Sequence, residues 1–227
     1  DQARYDRATE AYQLLLQMDP QNEHAPDWQA QIASGYAALD DAPHNIEALR
    51  TLATTYGAHS AWAQAQGDPA IVEHAVRISE RNVRRQALKY HQMAQRDHQA
   101  QKYARAADLY RIYLQAFPDT DQSYDIHFFL AEILFHRLEG YEEAGREYLA
   151  AAHKNPHGQY TRDALYNAIG AFEHVREGQL EECQRQGGPR AQGATTQTGA
   201  QTGAQTASQT GAQTASQTAT QTGAQTA

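Results

Sequence analysis

The stretch YARAADLYRIYLQAFP, residues 103–118, is the most informative part of the sequence for the fold, because the spacing of its residues recurs elsewhere in the chain. A tyrosine is followed by an alanine at the third position, a tyrosine at the seventh and a proline at the fifteenth. The three copies are Tyr5–Ala8–Tyr12–Pro20, Tyr103–Ala106–Tyr110–Pro118 and Tyr141–Ala144–Tyr148–Pro156. Steps of three and four residues place these side chains on one helix face, and the proline ends each helix. The spacing therefore predicts a repeated amphipathic helix.

The segments on either side of these copies also follow a helical period, and none alternates as a strand does. The sequence therefore predicts an all-α fold. Asn45 is the predicted N-cap of the third helix, which either ends at the Gly57 break or continues past it to Trp62 and Ala65. In the first helix, Tyr5, Ala8, Ala11, Tyr12, Leu15 and Leu16 are predicted to face inward. The second helix is predicted to begin after Pro26. The remaining predicted helices span residues 4–18, 69–100, 101–117, 122–138, 141–154 and 160–176.

The composition changes near the C-terminus, so residues 1–178 are assigned to the helical domain and 179–227 to a linker and tail. From residue 197 the chain repeats QTGA and QTAS, with no charge, no aromatic residue and no aliphatic residue larger than alanine. Such a segment cannot bury enough apolar surface to offset its backbone entropy, so disorder is predicted. An O-glycosylated spacer is the alternative interpretation of its threonines.

Charge and cysteine content exclude several classes of protein. The 19 basic and 27 acidic residues give a net charge of −8, which argues against nucleic acid as a partner. The densest basic cluster is expected to be a solvated helix face; it comprises Arg81, Arg84, Arg85 and Lys89. The single cysteine, Cys183, excludes an intrachain disulfide. No apolar run approaches the length of about 18 residues needed for a membrane span.

The recurring signature resembles the second helix of the tetratricopeptide repeat (TPR), which carries alanine, an aromatic residue, a small residue and a proline. One copy matches at Ala144, Tyr148, Ala151 and Pro156, and two match in part, at Ala106–Tyr110–Pro118 and Ala8–Tyr12–Pro20. Ala94 and Ala131 stand at the small position of the first helix of the motif. The match is specific for residues 1–20 and 90–175 and looser for 22–89. The chain is also similar to TPR proteins of the bacterial cell envelope, namely outer-membrane assembly lipoproteins and gliding-motility proteins of myxobacteria.

This resemblance implies a right-handed α-solenoid of antiparallel helix pairs that binds a peptide or protein segment in a concave groove. The register places seven residues in that groove: Asp125, Phe128, Glu132, Phe135, Tyr160, Asp163 and Asn167. Phe128 and Phe135 have a second interpretation, as core residues. The family's clamp for a C-terminal carboxylate is not expected, because Phe128 and Asp163 stand where it has lysine. The envelope likeness implies a periplasmic or outer-membrane location.

No arrangement of residues predicts catalysis, a metal or a cofactor. His153 and His157 are separated by a turn, and His91 and His98 lack a third ligand of suitable spacing. The expected function is thus a non-catalytic protein-interaction scaffold, with the oligomeric state open. Two alternatives are a helical accessory domain of a larger enzyme and a structural spacer whose tail is the working part. Because the chain begins with aspartate and lacks an apolar leader, we expect a processed chain or a fragment of a longer protein.

Overall fold

In the computed structural model, which describes residues 2–186, every regular element is an α-helix. The prediction of an all-α fold is therefore confirmed for that part of the chain. The predicted disordered tail, with its repeat from residue 197, lies outside the described residues, as does the predicted linker from residue 187 onwards. The helices are α1 Gln2–Met18, α2 Ala25–Ala38, α3 Ala42–Thr55, α4 Ala61–Ala65, α5 Pro69–Asp97, α6 Ala100–Ala116, α7 Gln122–Arg137, α8 Tyr141–Lys154 and α9 Thr161–Arg185.

The helices are divided between two compact units, and α5 and α6 contribute to both. Residues 2–91 and 105–118 form unit 1, in which α1 packs on α2 and α2 packs on α3. Residues 92–104 and 119–186 form unit 2, in which α8 packs on both α7 and α9. The predicted helical domain, residues 1–178, spans both units.

Local capping chemistry moves several helix ends from their predicted positions. The third helix begins after Asp41, whose carboxylate accepts a hydrogen bond from the His44 N–H at 3.3 Å. Asn45, predicted as the N-cap, is buried inside α3, where its Nδ2 donates to the Ala33 carbonyl at 2.7 Å. The Asp41 cap also lets Pro43 occupy the first turn, where its missing N–H costs little.

Three other boundaries differ from their predicted positions. The third helix ends at Thr55, and Trp62 lies in the separate short helix α4, which Ser60 caps by accepting from Ala63 N–H at 3.1 Å. Helix α5 ends at Asp97 rather than residue 100, since the next residue, His98, has a left-handed φ of 52°. Helix α9 runs to Arg185, nine residues past its predicted end. Part of the predicted linker is therefore helical.

The repeat signature occupies the core in α6 and α8 but not in α1. Ala106, Tyr110, Ala144, Tyr148 and Ala151 are fully buried, as are Ala94 and Ala131 of the first-type helices. By contrast, Ala8 is exposed, Tyr12 is half-buried, and Tyr5 and Leu15 retain 47% and 39% of their exposure. The buried residue of that turn is Thr9, which packs closely on Gly35 of α2. The prediction that α1 turns its signature face inward is therefore wrong.

Candidate functional site

The predicted groove residues all lie in unit 2, four on α7 and the others at the start of α9. Phe128, Tyr160 and Asn167 are buried there, with exposed fractions of 1%, 4% and 8%. The remaining four are half-buried: Asp125, Glu132, Phe135 and Asp163. Burial therefore separates these seven residues into core positions and positions that solvent still reaches.

The aromatic members of this set pack on one another inside unit 2. The Phe128 and Tyr160 rings stack with centroids 4.4 Å apart and an interplanar angle of 5°. The Tyr160 backbone N–H also donates to the Tyr124 hydroxyl at 2.6 Å, which fixes the start of α9 against α7. Phe128 and Tyr160 are therefore core residues rather than lining of an open groove. Their apolar surfaces pack against each other between α7 and the start of α9.

A polar cluster joins the three helices of unit 2, and at its centre the Glu132 side chain keeps 12% of its exposure. Glu132 of α7 accepts hydrogen bonds through Oε1 from the Tyr148 hydroxyl at 2.6 Å and from Asn167 Nδ2 at 3.1 Å. Its other oxygen, Oε2, lies 3.7 Å from His136 Nε2. That nitrogen is buried without a hydrogen-bond partner among residues 2–186. The structure thus brings together two predicted residues, Glu132 and Asn167, through the signature residue Tyr148.

Burial changes the ionisation of this cluster. Removal from water raises the pKa of the Glu132 carboxyl from its ordinary value of 4.5 to about 7, although Tyr148 and Asn167 donate to it. Burial also lowers the pKa of His136. Nearer the start of α7, burial raises the pKa of Asp125. Because its hydrogen bonds are made within the cluster, Glu132 serves here to tie α7, α8 and α9 together.

Unit 1 contains an open groove between α2 and α5. Two cavities lie side by side, with volumes of about 350 Å³ and 280 Å³. Both are lined by Ser34 of α2 and by Asn82 and Arg85 of α5, so they form one groove. The larger cavity reaches Asn45 and Leu49 of α3, which form its floor. Such volumes are in the range of small-ligand and peptide sites.

One wall of this groove is cationic. Arg81, Arg85 and Lys89 line it from α5, and all three side chains are exposed. Asn82 accepts a hydrogen bond through Oδ1 from an Arg85 guanidinium nitrogen at 2.7 Å, and its Nδ2 donates to the Ile78 carbonyl at 2.7 Å. The Arg85 side chain is thereby held in place by a residue that is itself anchored on the helix.

Sequence reasoning identified this basic cluster but interpreted it as a solvated face. A usable signal was present, because positions 81, 85 and 89 are spaced four residues apart along one row of the helix. Arg84, by contrast, pairs with Glu80 at 2.8 Å and lines neither cavity. What the sequence could not indicate is that α2 lies opposite that face, because this depends on tertiary packing.

Residues 2–186 contain neither a membrane-spanning helix nor a cluster of metal ligands. None of the helices within residues 2–186 has both the length and the apolar character needed to cross a membrane. No group of three or more His, Cys, Asp or Glu side chains in those residues is arranged to hold a metal ion. No protein-family model matches the chain, and the search of curated proteins finds no significant match.

Proposed function

We propose that this chain is a non-catalytic scaffold that binds a peptide or protein segment. The observation that carries the proposal is the groove between α2 and α5 in unit 1, whose two adjacent cavities have volumes of about 350 Å³ and 280 Å³. Its walls combine small apolar side chains, amides and cations: Ala33, Ala37, Asn82, Gln86, Arg85 and Lys89. Amides and a serine can pair with the backbone of an extended segment, and the cations can select its side chains.

We further propose that the helix pairs are turns of a right-handed α-solenoid of the TPR type. The buried alanines and tyrosines of α6 and α8 support this, since each copy lets neighbouring helices approach closely. In unit 2, α8 and α9 run antiparallel, because Tyr148 meets Asn167 while the earlier Gly145 meets the later Phe172. In such a solenoid the first helix of each pair lines the binding groove, and α2 and α5 occupy that place in unit 1.

A random library of short peptides, panned against the full chain, tests the proposed function. We expect enriched peptides to bind the wild-type protein and to lose binding in the variant Ser34→Trp. Ser34 is exposed on α2 and lines both cavities, so the indole would fill the groove without disturbing the core. Gln17→Trp, at an exposed position of α1 outside the groove, is the matched control and should bind normally. Enriched peptides that bind both variants equally would contradict the proposal.

A further inference from the structure

We propose that the unit 1 groove recognises an acidic protein segment in an extended conformation, with carboxylates at alternate positions facing Arg81, Arg85 and Lys89. This rests on the proposed peptide-binding function and adds to it the class of ligand. No C-terminal carboxylate is required, because the recognition is of side chains along the segment.

The spacing of the three cations fits such a segment. Residues four apart on a helix are separated by about 6 Å along its axis, so positions 81, 85 and 89 extend over about 12 Å. In an extended chain, side chains on one face recur every two residues, which is about 6.6–6.8 Å. Three alternate carboxylates laid along α5 would therefore each meet one cation.

The charges of this wall have no ion-pair partner within residues 2–186. Elsewhere on α5, Arg77 pairs with Glu73 at 3.0 Å and Arg84 pairs with Glu80 at 2.8 Å. In the part of the chain that the structure describes, no salt bridge involves Arg81, Arg85 or Lys89. The carboxylate that lines the groove, Asp27, lies 3.1 Å from His74 Nε2.

The remaining lining suits a peptide rather than a lone anion. The guanidinium of Arg85 is oriented by Asn82 at 2.7 Å, and a held guanidinium suits the two oxygens of a carboxylate. Gln31, Ser34 and Gln86 offer donors and acceptors for the backbone of the segment. Ala37 and Ala38 provide apolar surface for the intervening side chains.

A protein segment is favoured over a nucleic acid by the charge of the whole chain. Its net charge is −8, and the cationic wall is confined to three residues. Single-stranded nucleic acids are bound along longer basic paths, usually with aromatic platforms, and neither cavity has an aromatic residue in its lining. An acidic peptide can be held by the groove alone.

The test measures fluorescence anisotropy with a labelled, end-blocked peptide of alternating glutamate and threonine, and with the matching glutamine–threonine peptide. We expect the glutamate peptide to bind the full chain at least about tenfold more tightly, and its affinity to fall as NaCl is raised. The double variant Arg81→Gln/Arg85→Gln should weaken binding by at least about tenfold. Arg77→Gln removes a charge one turn before Arg81, from a residue that lines neither cavity and pairs with Glu73, and should change the affinity by less than about twofold.

Three outcomes would overturn the inference: equal binding of the two peptides, equal effects of the groove variant and Arg77→Gln, or tighter binding of a single-stranded oligonucleotide than of the glutamate peptide. We expect each variant to fold, because the substituted side chains are exposed, and circular dichroism checks this. The library experiment with Ser34→Trp separates this inference from the proposed function. If the library yields peptides that need the groove but carry no acidic residues, only the proposed ligand class is refuted. If the library yields no groove-dependent peptide and the glutamate peptide does not bind, both the ligand class and the proposed function are refuted.

Discussion

Glu132 shows how a single carboxyl group links the packing of unit 2 to pH. It accepts two hydrogen bonds, from Tyr148 and Asn167, yet burial raises its pKa to about 7. The folded protein therefore keeps this proton at pH values where the unfolded chain has lost it. The stabilising contribution is complete below pH 4.5, falls as the pH rises, and is lost above about 7.

We predict that Glu132→Gln removes this pH dependence. At 1.36 kcal/mol per pKa unit, the wild-type contribution lost between these pH values is on the order of 3 kcal/mol. Glutamine keeps an oxygen acceptor for Tyr148 and Asn167, and its amide can donate to His136 Nε2, which has no hydrogen-bond partner within residues 2–186 and lies 3.7 Å from Glu132 Oε2. Urea unfolding at pH 5 and pH 8 should show the variant more stable than wild type by about 1–3 kcal/mol at pH 8 only.

Other ionisable groups near Glu132 also contribute to the pH dependence of stability, so this measurement needs a control. Burial lowers the pKa of His136, so its contribution is present above the ordinary histidine pKa of 6.5 and lost as the pH falls below it. Arg137 favours and Asp163 disfavours ionisation of Glu132. The difference between wild type and variant isolates Glu132 from these groups. Glu142→Gln, at an exposed position of α8, should leave the pH profile unchanged. A Glu132→Gln profile that parallels wild type would show that Glu132 is ionised in the fold.

At the scale of the helix, the same signature has different consequences in different elements. In α8 it is enclosed, because α7 and α9 both pack on that helix. In α1 it is left largely exposed, because the contact with α2 is made through Thr9. Helix α9 likewise exposes apolar side chains, with Leu165 at 45% and Ile169 at 59% of full exposure. The alternation of small and aromatic residues therefore matters for stability only where a second helix covers it.

We predict that Ala144→Leu lowers the free energy of unfolding by about 1–3 kcal/mol, because it forces three extra carbon atoms between closely packed helices. Ala144 is fully buried in α8, and Ala106→Leu in α6 should behave in the same way. Chemical denaturation monitored by circular dichroism measures the change. Ala70→Leu, in the exposed first turn of α5, is the matched control and should alter stability by less than about 0.5 kcal/mol. Equal midpoints for Ala144→Leu and Ala70→Leu would contradict the close helix packing at Ala144.

On the scale of the whole molecule, composition separates the helical residues from the tail. The tail prediction rests on sequence, because residues from 187 onwards lie outside the described part. Helix α9 continues to Arg185, just before the Gly187-Gly188-Pro189 segment. Truncation after Gln186 consequently removes no part of a described helix.

We predict that this truncation shifts the thermal midpoint by less than about 2 °C, since the removed segment offers no side chain able to bury substantial apolar area. Differential scanning calorimetry of the full and truncated chains measures the shift. Truncation after Lys154, which also removes α9 and exposes the aromatic surface of Phe128, is the contrasting variant and should unfold unit 2. A large fall in midpoint for the shorter tail truncation would show that the tail packs on the helices.

Local periodicity and residue size were enough to predict the helical class, most helix positions and the buried alanines and tyrosines of α6 and α8. The basic residues of α5 were also recognisable from the chain alone. Which helix faces are covered depends on the packing of the helices, which buries Phe128 and Tyr160, leaves Ala8 exposed and puts α2 opposite Arg81 and Arg85. Periodicity states which side chains share a face, but whether that face meets another helix, a groove or water depends on contacts between residues distant in the chain.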